Sequence, residues 1–283
     1  MRFLVLGASG MAGHVICIYL KEQGHDVIGL SRRRVNFVKS VSGDVSDFSL
    51  LKGMIEVGHF DAVINAIGVL NQFAEQNKET ATLLNGYLPH YLAKITADMD
   101  TQVIHMSTDC VFSGYSGPYT EDALRDGMTF YDRSKAVGEL DDEKNLTLRN
   151  SIVGPDINAD GIGLLNWFMK QSEVNGYTKA MWTGFTTLQL AKTMEKAAEV
   201  KAYGLVNMVY EKNISKYELL CLFNRYLRDN RVIIHPFDGF SSDKTLVRTN
   251  YDFDYKVPDY ETMIAEMAVW MRKHKTLYPH YDI

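Results

Sequence analysis

The stretch Arg2-Phe3-Leu4-Val5-Leu6-Gly7-Ala8-Ser9-Gly10-Met11-Ala12-Gly13 decides the fold. Residues 2–6 form a short apolar run, and three glycines follow at a spacing of three. Val15, Ile16, Ile18, Tyr19 and Leu20 then recur at helical spacing up to Gly24, a stop signal. Strand, glycine turn and helix together make an anion site. Glycines permit tight turning and close backbone approach, and the free N–H groups of a helix start attract phosphate oxygens. Gly7, Ser9, Gly10, Met11 and Gly13 are therefore candidate cofactor-binding residues. The spacing is G-x-x-G-x-x-G, which differs from the more familiar G-x-G-x-x-G.

Outward from this start, strand-like and helical runs alternate. Phe3–Leu6, Asp26–Leu30, Ala62–Ala66, Gln102–Met106 and Leu146–Arg149 read as strands, with a short edge strand near Phe37–Val41. Helices are predicted over residues 11–23, 47–57, 78–98 and 130–142. Such alternation predicts an α/β fold, a doubly wound parallel sheet of Rossmann type. After Arg149 the pattern loosens. Helices are expected from Leu164 and near 186–199, 216–228 and 260–272, with one strand near 204–209. Met263, Ile264, Met267 and Trp270 form an apolar stripe that reads as core. The expected division is a nucleotide-binding domain over 1–150 and a smaller substrate-binding region over 151–283, which returns one or two elements to the sheet.

The segment Tyr131-Asp132-Arg133-Ser134-Lys135 sets a phenol and an ammonium one helical turn apart, on the same face. A neighbouring cation favours the phenolate, so Lys135 is expected to lower Tyr131 from its free value of about 10. A tyrosine so tuned can exchange a proton with a carbonyl or alcohol oxygen. Upstream, Ser107 and Thr108 close the strand that ends at Met106 and face the crevice where open α/β sheets bind ligands. Either hydroxyl could bond the same oxygen.

Composition narrows the class. A chain of 283 residues can bury a large core. Its net charge of −5 argues against a nucleic-acid binder. No apolar run approaches membrane-spanning length, and the start does not read as a secretion signal. Cys17, Cys110 and Cys221 are odd in number and unrelated in spacing, which suits thiols in a reducing cytoplasm. The eight histidines show no metal-ligand spacing, so no metal is expected.

With these pieces in order, the chain resembles the extended short-chain dehydrogenases/reductases, and within them most the dTDP-4-dehydrorhamnose reductase family. The resemblance rests on Gly7 to Gly13, Asn65-Ala66-Ile67-Gly68, Leu84-Asn85, Ser107-Thr108-Asp109, Val111-Phe112-Ser113-Gly114, Gly117 to Asp122, Tyr131 to Glu139 and Leu148-Arg149-Asn150-Ser151. It covers the first half well and the second half loosely. It implies hydride transfer to the 4-keto group of a nucleotide-activated sugar in polysaccharide precursor synthesis. Tyr131 would supply the proton, Thr108 a second hydrogen bond, and Lys135 would hold the nicotinamide ribose. It also implies that Asp44 and Val45 flank the adenine, that Asn65, Ala66 and Ile67 form the turn under the ribose, and that Asn85 is structural.

Beyond the second strand, where NAD-preferring proteins carry an acidic residue, this chain reads Ser31-Arg32-Arg33-Arg34. Arg32 or Arg33 can grip a 2′-phosphate, which predicts NADP(H). Ser107, Asp109, Cys110, Trp167 and Arg248 are the expected substrate-binding residues. For the substrate diphosphate the candidates are Lys170, Lys179, Lys244 and, preferred, Arg248; Trp182 joins Trp167 as a candidate wall of the sugar site. Cys110 stands where the family usually has tyrosine, and Ile152 where it has another aromatic, so the sugar pocket is altered. Two alternatives remain open: an epimerase or dehydratase with tightly held NAD(H), or a non-catalytic NADP-binding regulatory subunit. Self-association as a homodimer fits the superfamily.

Overall fold

The computed structural model describes residues 1–283. In chain order the elements are β1 (Arg2–Leu6), α1 (Met11–Glu22), β2 (Asp26–Ser31), β3 (Lys39–Ser42), α2 (Phe48–Gly58), β4 (Ala62–Asn65), α3 (Asn71–Gln76), α4 (Lys78–Ala81), a π-helical segment Thr82–Tyr87, α5 (Leu88–Ile95) and β5 (Gln102–Ser107). Then come α6 (Phe130–Val137), β6 (Leu146–Arg149), β7 (Ser151–Val153), α7 (Leu164–Phe168), β8 (Glu173–Trp182), β9 (Gly184–Thr186), α8 (Thr187–Val200), β10 (Gly204–Asn207), β11 (Ile214–Ser215), α9 (Lys216–Leu227), β12 (Ile233–Asp243) and α10 (Tyr260–Lys273).

Seven parallel strands form the central sheet in the order β10-β6-β5-β4-β1-β2-β3. Successive side chains of a strand face opposite sides, and β1 shows the consequence. Phe3 and Val5 enter one core, with Val15 and Ile16 of α1 and Leu190 and Met194 of α8. Leu4 and Leu6 enter the other, with Leu51 and Ile55 of α2 and Leu88 and Leu92 of α5. Helices on both faces explain why β4, β6 and β10, and β1 beyond Arg2, are buried along their whole length. The stripe Met263, Ile264, Met267 and Trp270 of α10 is buried as expected.

Three features differ from the sequence reading. The helix expected over 78–98 is interrupted by the π-helical turn, which brings buried Asn85 toward the loop after β4. Helix α6 stops at Val137, because Gly138 lies against the preceding helical segment: a β-carbon there would fall 1.9 Å from the Asn85 carbonyl oxygen. The second half also holds a sheet that was not expected, ordered β11-β8-β12, beside the short pair β7-β9. The alternation of β8 shows at its start, where Val174 and Gly176 are buried between exposed Glu173, Asn175 and Tyr177. The breakers Pro236 and Gly239 hide β12, which accommodates them with a register shift between Phe237 and Ser241.

Two glycine substitutions should therefore move stability in opposite directions. Gly138→Ala should cost about 1–3 kcal/mol. Gly53→Ala, in α2 with nothing near its would-be β-carbon, should gain about 0.5–1 kcal/mol. Urea unfolding of both variants, read at the midpoint with an unchanged slope, checks the pair.

Candidate active site at the carboxyl edge of the sheet

The glycine turn sits where the strand order reverses, between β1 and β4, at the carboxyl ends of the strands. Gly7 has φ +84, in the left-handed region, and donates to the Leu30 carbonyl at 2.9 Å. Helix α1 packs so tightly on this turn that a β-carbon at Gly13 would lie 2.0 Å from the Gly7 carbonyl oxygen. No side chain caps the start of α1, and its first turn carries no acid. Its N–H groups therefore face the crevice unanswered.

Arg32, Arg33 and Arg34 are exposed just beyond β2. Their backbone is held by the Ser31 hydroxyl on the Arg33 carbonyl at 2.7 Å and the Ser42 hydroxyl on the Arg32 carbonyl at 2.9 Å. Asp44 accepts from the Ser46 backbone and hydroxyl, and these bonds, with Arg32 a smaller influence, hold its carboxyl below the ordinary range. Val45 is buried beside it. Asn65 ends β4; its side-chain oxygen accepts from the Ile67 N–H at 3.2 Å and so shapes the Ala66–Ile67 turn beneath Gly7. Asn85 is structural: its amide brackets Val69, at 2.8 Å to the N–H and 2.9 Å to the carbonyl, and reaches the Ser134 hydroxyl of α6 at 3.0 Å.

Thr108, Tyr131 and Lys135 come together. Thr108 follows β5 and accepts from the Cys110 N–H at 3.1 Å. Helix α6 begins with a capping box between Thr129 and Asp132, which sets the direction of Tyr131 and Lys135 one turn apart. The Lys135 ammonium reaches under the sheet edge to the Met106 carbonyl at 2.6 Å and to His105 Nε2 at 3.3 Å. His105 in turn meets Asn65 Nδ2 at 3.1 Å. Lys135 is thus linked, through His105 and Asn65, to the glycine-lined mouth.

The expected tuning of Tyr131 is corrected here. Burial pushes its pKa well up, the Cys110 thiol adds to this, and the Thr108 hydroxyl pulls it partly back. Lys135 aims at Met106 and His105, and does not offset the desolvation. Burial acts on Lys135 too, lowering it to about 8, with Glu139 opposing.

Ser107 is a second correction. Its hydroxyl donates to Glu139 at 2.7 Å, away from any substrate oxygen. Glu139 is the centre of a buried ion pair. Arg149, fully buried, grips it through Nε at 2.8 Å and Nη2 at 2.7 Å, and Arg125 adds Nε at 2.6 Å. Burial alone would raise the Glu139 carboxyl, but Arg149, Arg125 and Ser107 hold it below the ordinary range.

Beside the triad opens a cavity of about 680 Å³. Cys110 packs against the cluster of Tyr131, Ala74 and Ala81 and also lines this cavity, so its side chain separates Tyr131 from the cavity. Asp109, Cys110 and Trp167 all line it as expected, and so does Trp182. Burial raises the Cys110 pKa to about 12, so it presents a neutral thiol. Arg248 is the third correction: it donates to the carbonyls of Asn250, Phe253 and Tyr255 and lies over Tyr251. It staples its own loop and does not line the cavity. Lys170 binds the Ala159 carbonyl, and Lys179 pairs with Asp238 at the surface. Of the proposed cations only Lys244 lines the cavity.

The sequence reading missed Lys216. It is the first residue of α9, after a Ser215–Glu218 capping box, and its ammonium lies 5.0 Å over the Trp182 ring. Burial lowers it to about 8 while Asp109 opposes. A signal existed: Ser215-Lys216-Tyr217-Glu218 announces a helix start, where the macrodipole disfavours a cation. A lysine at such a position suggests a ligand that compensates.

Comparison with known proteins agrees with this geometry. The family described as RmlD substrate binding domain matches residues 1–153. The spore coat polysaccharide biosynthesis protein SpsK of Bacillus subtilis is 33% identical over 142 residues, 49% of this chain and 47% of that protein. A dTDP-4-dehydrorhamnose reductase of Mycolicibacterium smegmatis is 32% identical over 141 residues, 49% of this chain and 40% of its own. The chain thus spans about half the length of the curated relatives it matches. The crystal structure of a dTDP-4-dehydrorhamnose reductase from Bacillus anthracis in complex with NADP superposes with a TM-score of 0.77 at 16% identity, over 95% of this chain and 99% of that one, which establishes a shared fold.

The buried ion pair yields a stability prediction. Glu139→Ala strands the Arg149 charge in the interior and should cost about 3–5 kcal/mol in chemical denaturation. Because the Glu139 pKa is depressed in the folded state, the pair's contribution is present above the unfolded carboxyl range, near 4.5, and is lost as pH falls through the lower folded value.

Proposed function

Because the chain belongs to the RmlD substrate binding domain family, we propose that it is an NADPH-dependent reductase of the 4-keto group of a nucleotide-activated deoxysugar, acting in surface-polysaccharide precursor synthesis. One observation supports the reading: Thr108 and the Tyr131–Lys135 helix lie at the carboxyl edge of the sheet that carries the uncapped glycine turn, and Asp109 and Cys110, next to Thr108, line a cavity of about 680 Å³.

The residues fit the cofactor. The absent β-carbons at Gly7, Gly10 and Gly13 let a pyrophosphate approach the free N–H groups of the first turn of α1, and Arg32 and Arg33 suit a 2′-phosphate. When bound, the nicotinamide would supply the hydride. The chain supplies the rest. Tyr131 keeps its proton firmly in the buried site and gives it up when negative charge develops on the carbonyl oxygen. Thr108 offers that oxygen a second hydrogen bond. Cys110, small and un-ionised, leaves room beside the sugar.

The cavity suits a nucleoside diphosphate sugar. Lys216 and Lys244 place two cations on its wall, and Trp167, Tyr177 and Phe240 offer aromatic surface at its rim. Preference for an exchanging NADPH over a retained NAD(H) follows from the arginines after β2, which have no acidic residue beside them to take a ribose 2′-hydroxyl.

A screen of nucleotide 4-keto-6-deoxysugars, following loss of NADPH absorbance, tests the reading. At least one substrate should turn over, and Tyr131→Phe should lower kcat by roughly 10²–10⁴-fold while NADPH binding persists. Wild-type rates in Tyr131→Phe would reject the assignment.

Lys216 gives the pH signature. It is a cation below about 8 and an amine above. Affinity for a nucleoside diphosphate, measured by calorimetry, should fall by roughly tenfold between about pH 7 and about pH 9. In Lys216→Met binding should be weaker, and this pH dependence should disappear.

A further inference from the structure

His105 is fully buried between the two halves of the site, and its hydrogen-bond partners determine where its proton lies. It stands opposite Asn65 in the β4–β5 register. The Asn65 side-chain oxygen already accepts from the Ile67 N–H, so the group facing His105 Nδ1 is the Asn65 amide nitrogen, a donor. Nδ1 must accept. A neutral imidazole then carries its hydrogen on Nε2, and Nε2 faces Lys135 Nζ at 3.3 Å. An ammonium there would meet another donor. An uncharged amine would not: its lone pair accepts from Nε2–H, one hydrogen goes to the Met106 carbonyl at 2.6 Å, and one remains for a ligand. The reverse tautomer would put two donors face to face at Asn65, and turning that amide would break the Ile67 bond.

We propose that His105 is a positioning residue whose Nε2–H, fixed by Asn65, disfavours the ammonium form of Lys135 and so sets the pH at which this lysine gains its charge. The remaining charges around the pair agree. Burial keeps His105 neutral, with Lys135 and, further off, His90 of α5 acting in the same sense. Glu139, just after α6, favours the ammonium, but Arg149 of β6 and Arg125 share its charge. Tyr131, one turn away, stays protonated. Only the effect on turnover rests on the reductase reading; the tautomer and the lysine titration do not.

The test is nuclear magnetic resonance on the full chain. The ¹⁵N shifts of His105 should report a neutral ring protonated at Nε2. The ¹³Cε signal of Lys135 should titrate near 8, and its midpoint should rise by roughly one unit in both His105→Phe and His105→Gln. If the enzyme turns over, the limb of its pH–rate profile that reports Lys135 should move by the same interval, which a merely structural role would not cause. A ring protonated at Nδ1, or a lysine midpoint unmoved by both substitutions, overturns the proposal. Should neither variant fold, the tautomer in the unmodified protein decides alone.

Discussion

The grip of Arg149 on Glu139 is the constraint on which the site depends. Helix α6 carries both Tyr131 and Lys135, yet it is only two turns long and half polar, so apolar packing alone would aim it poorly. A bidentate guanidinium–carboxylate pair defines direction as well as distance. Arg149 is the last residue of β6 and Glu139 follows the end of α6, so the pair ties the helix to the sheet at its carboxyl edge. Desolvating two charges is costly, and such pairs persist where every remaining donor and acceptor is satisfied. Here Arg149 also reaches the Asn207 side chain at 3.1 Å and lies over the Phe112 ring. Asn207 ends β10, and Glu121 takes its N–H along with those of Thr249 and Asn250. One polar thread therefore joins the helix of the triad to the sheet edge and to the loop that Arg248 staples.

This thread explains what the sequence could and could not disclose. The glycine turn and the strands of the first half were legible because each is a local pattern: an apolar run, a punctuating glycine, a helical period. Tyr131 and Lys135 were legible for the same reason, being one turn apart. The direction in which Lys135 points was not, because it depends on His105 and Met106, about thirty positions upstream. Ser107 and Thr108 are adjacent and chemically alike; only the strand's alternation, with Glu139 beneath it, separates them. Arg248 looked like a free cation because its three backbone partners leave no mark in composition. The strand β12 was hidden by Pro236 and Gly239, which a ribbon with a register shift can hold.

Lys216 and Arg248 make an instructive pair. Both are cations in the second half with apolar neighbours. Arg248 answers carbonyls that its own loop would otherwise leave unpaired, which is a stabilising role. Lys216 opens a helix whose dipole opposes it, beside a buried Asp109 whose own pKa burial has raised. Neither group is comfortable alone, and each moderates the other. An anionic ligand between Lys216 and Lys244 would offset the unfavourable charge at the helix start.

The same logic governs the proton of the triad. A phenol lowered in advance by a facing ammonium would ionise early, and a tyrosinate has no proton to give. Burial does the reverse: it holds the proton on Tyr131, while Lys135 is turned to Met106 and His105. With the Met106 carbonyl and His105 answered, Lys135 still has an N–H to offer a ligand. A ligand hydroxyl accepting there would favour the ammonium and draw Lys135 away from the Nε2–H that opposes its charge. Binding would then switch on the electrostatic help that Tyr131 lacks in the ligand-free protein. Proton release would follow occupancy of the cleft, because a lysine charge drawn towards the ligand stabilises the phenolate as it forms.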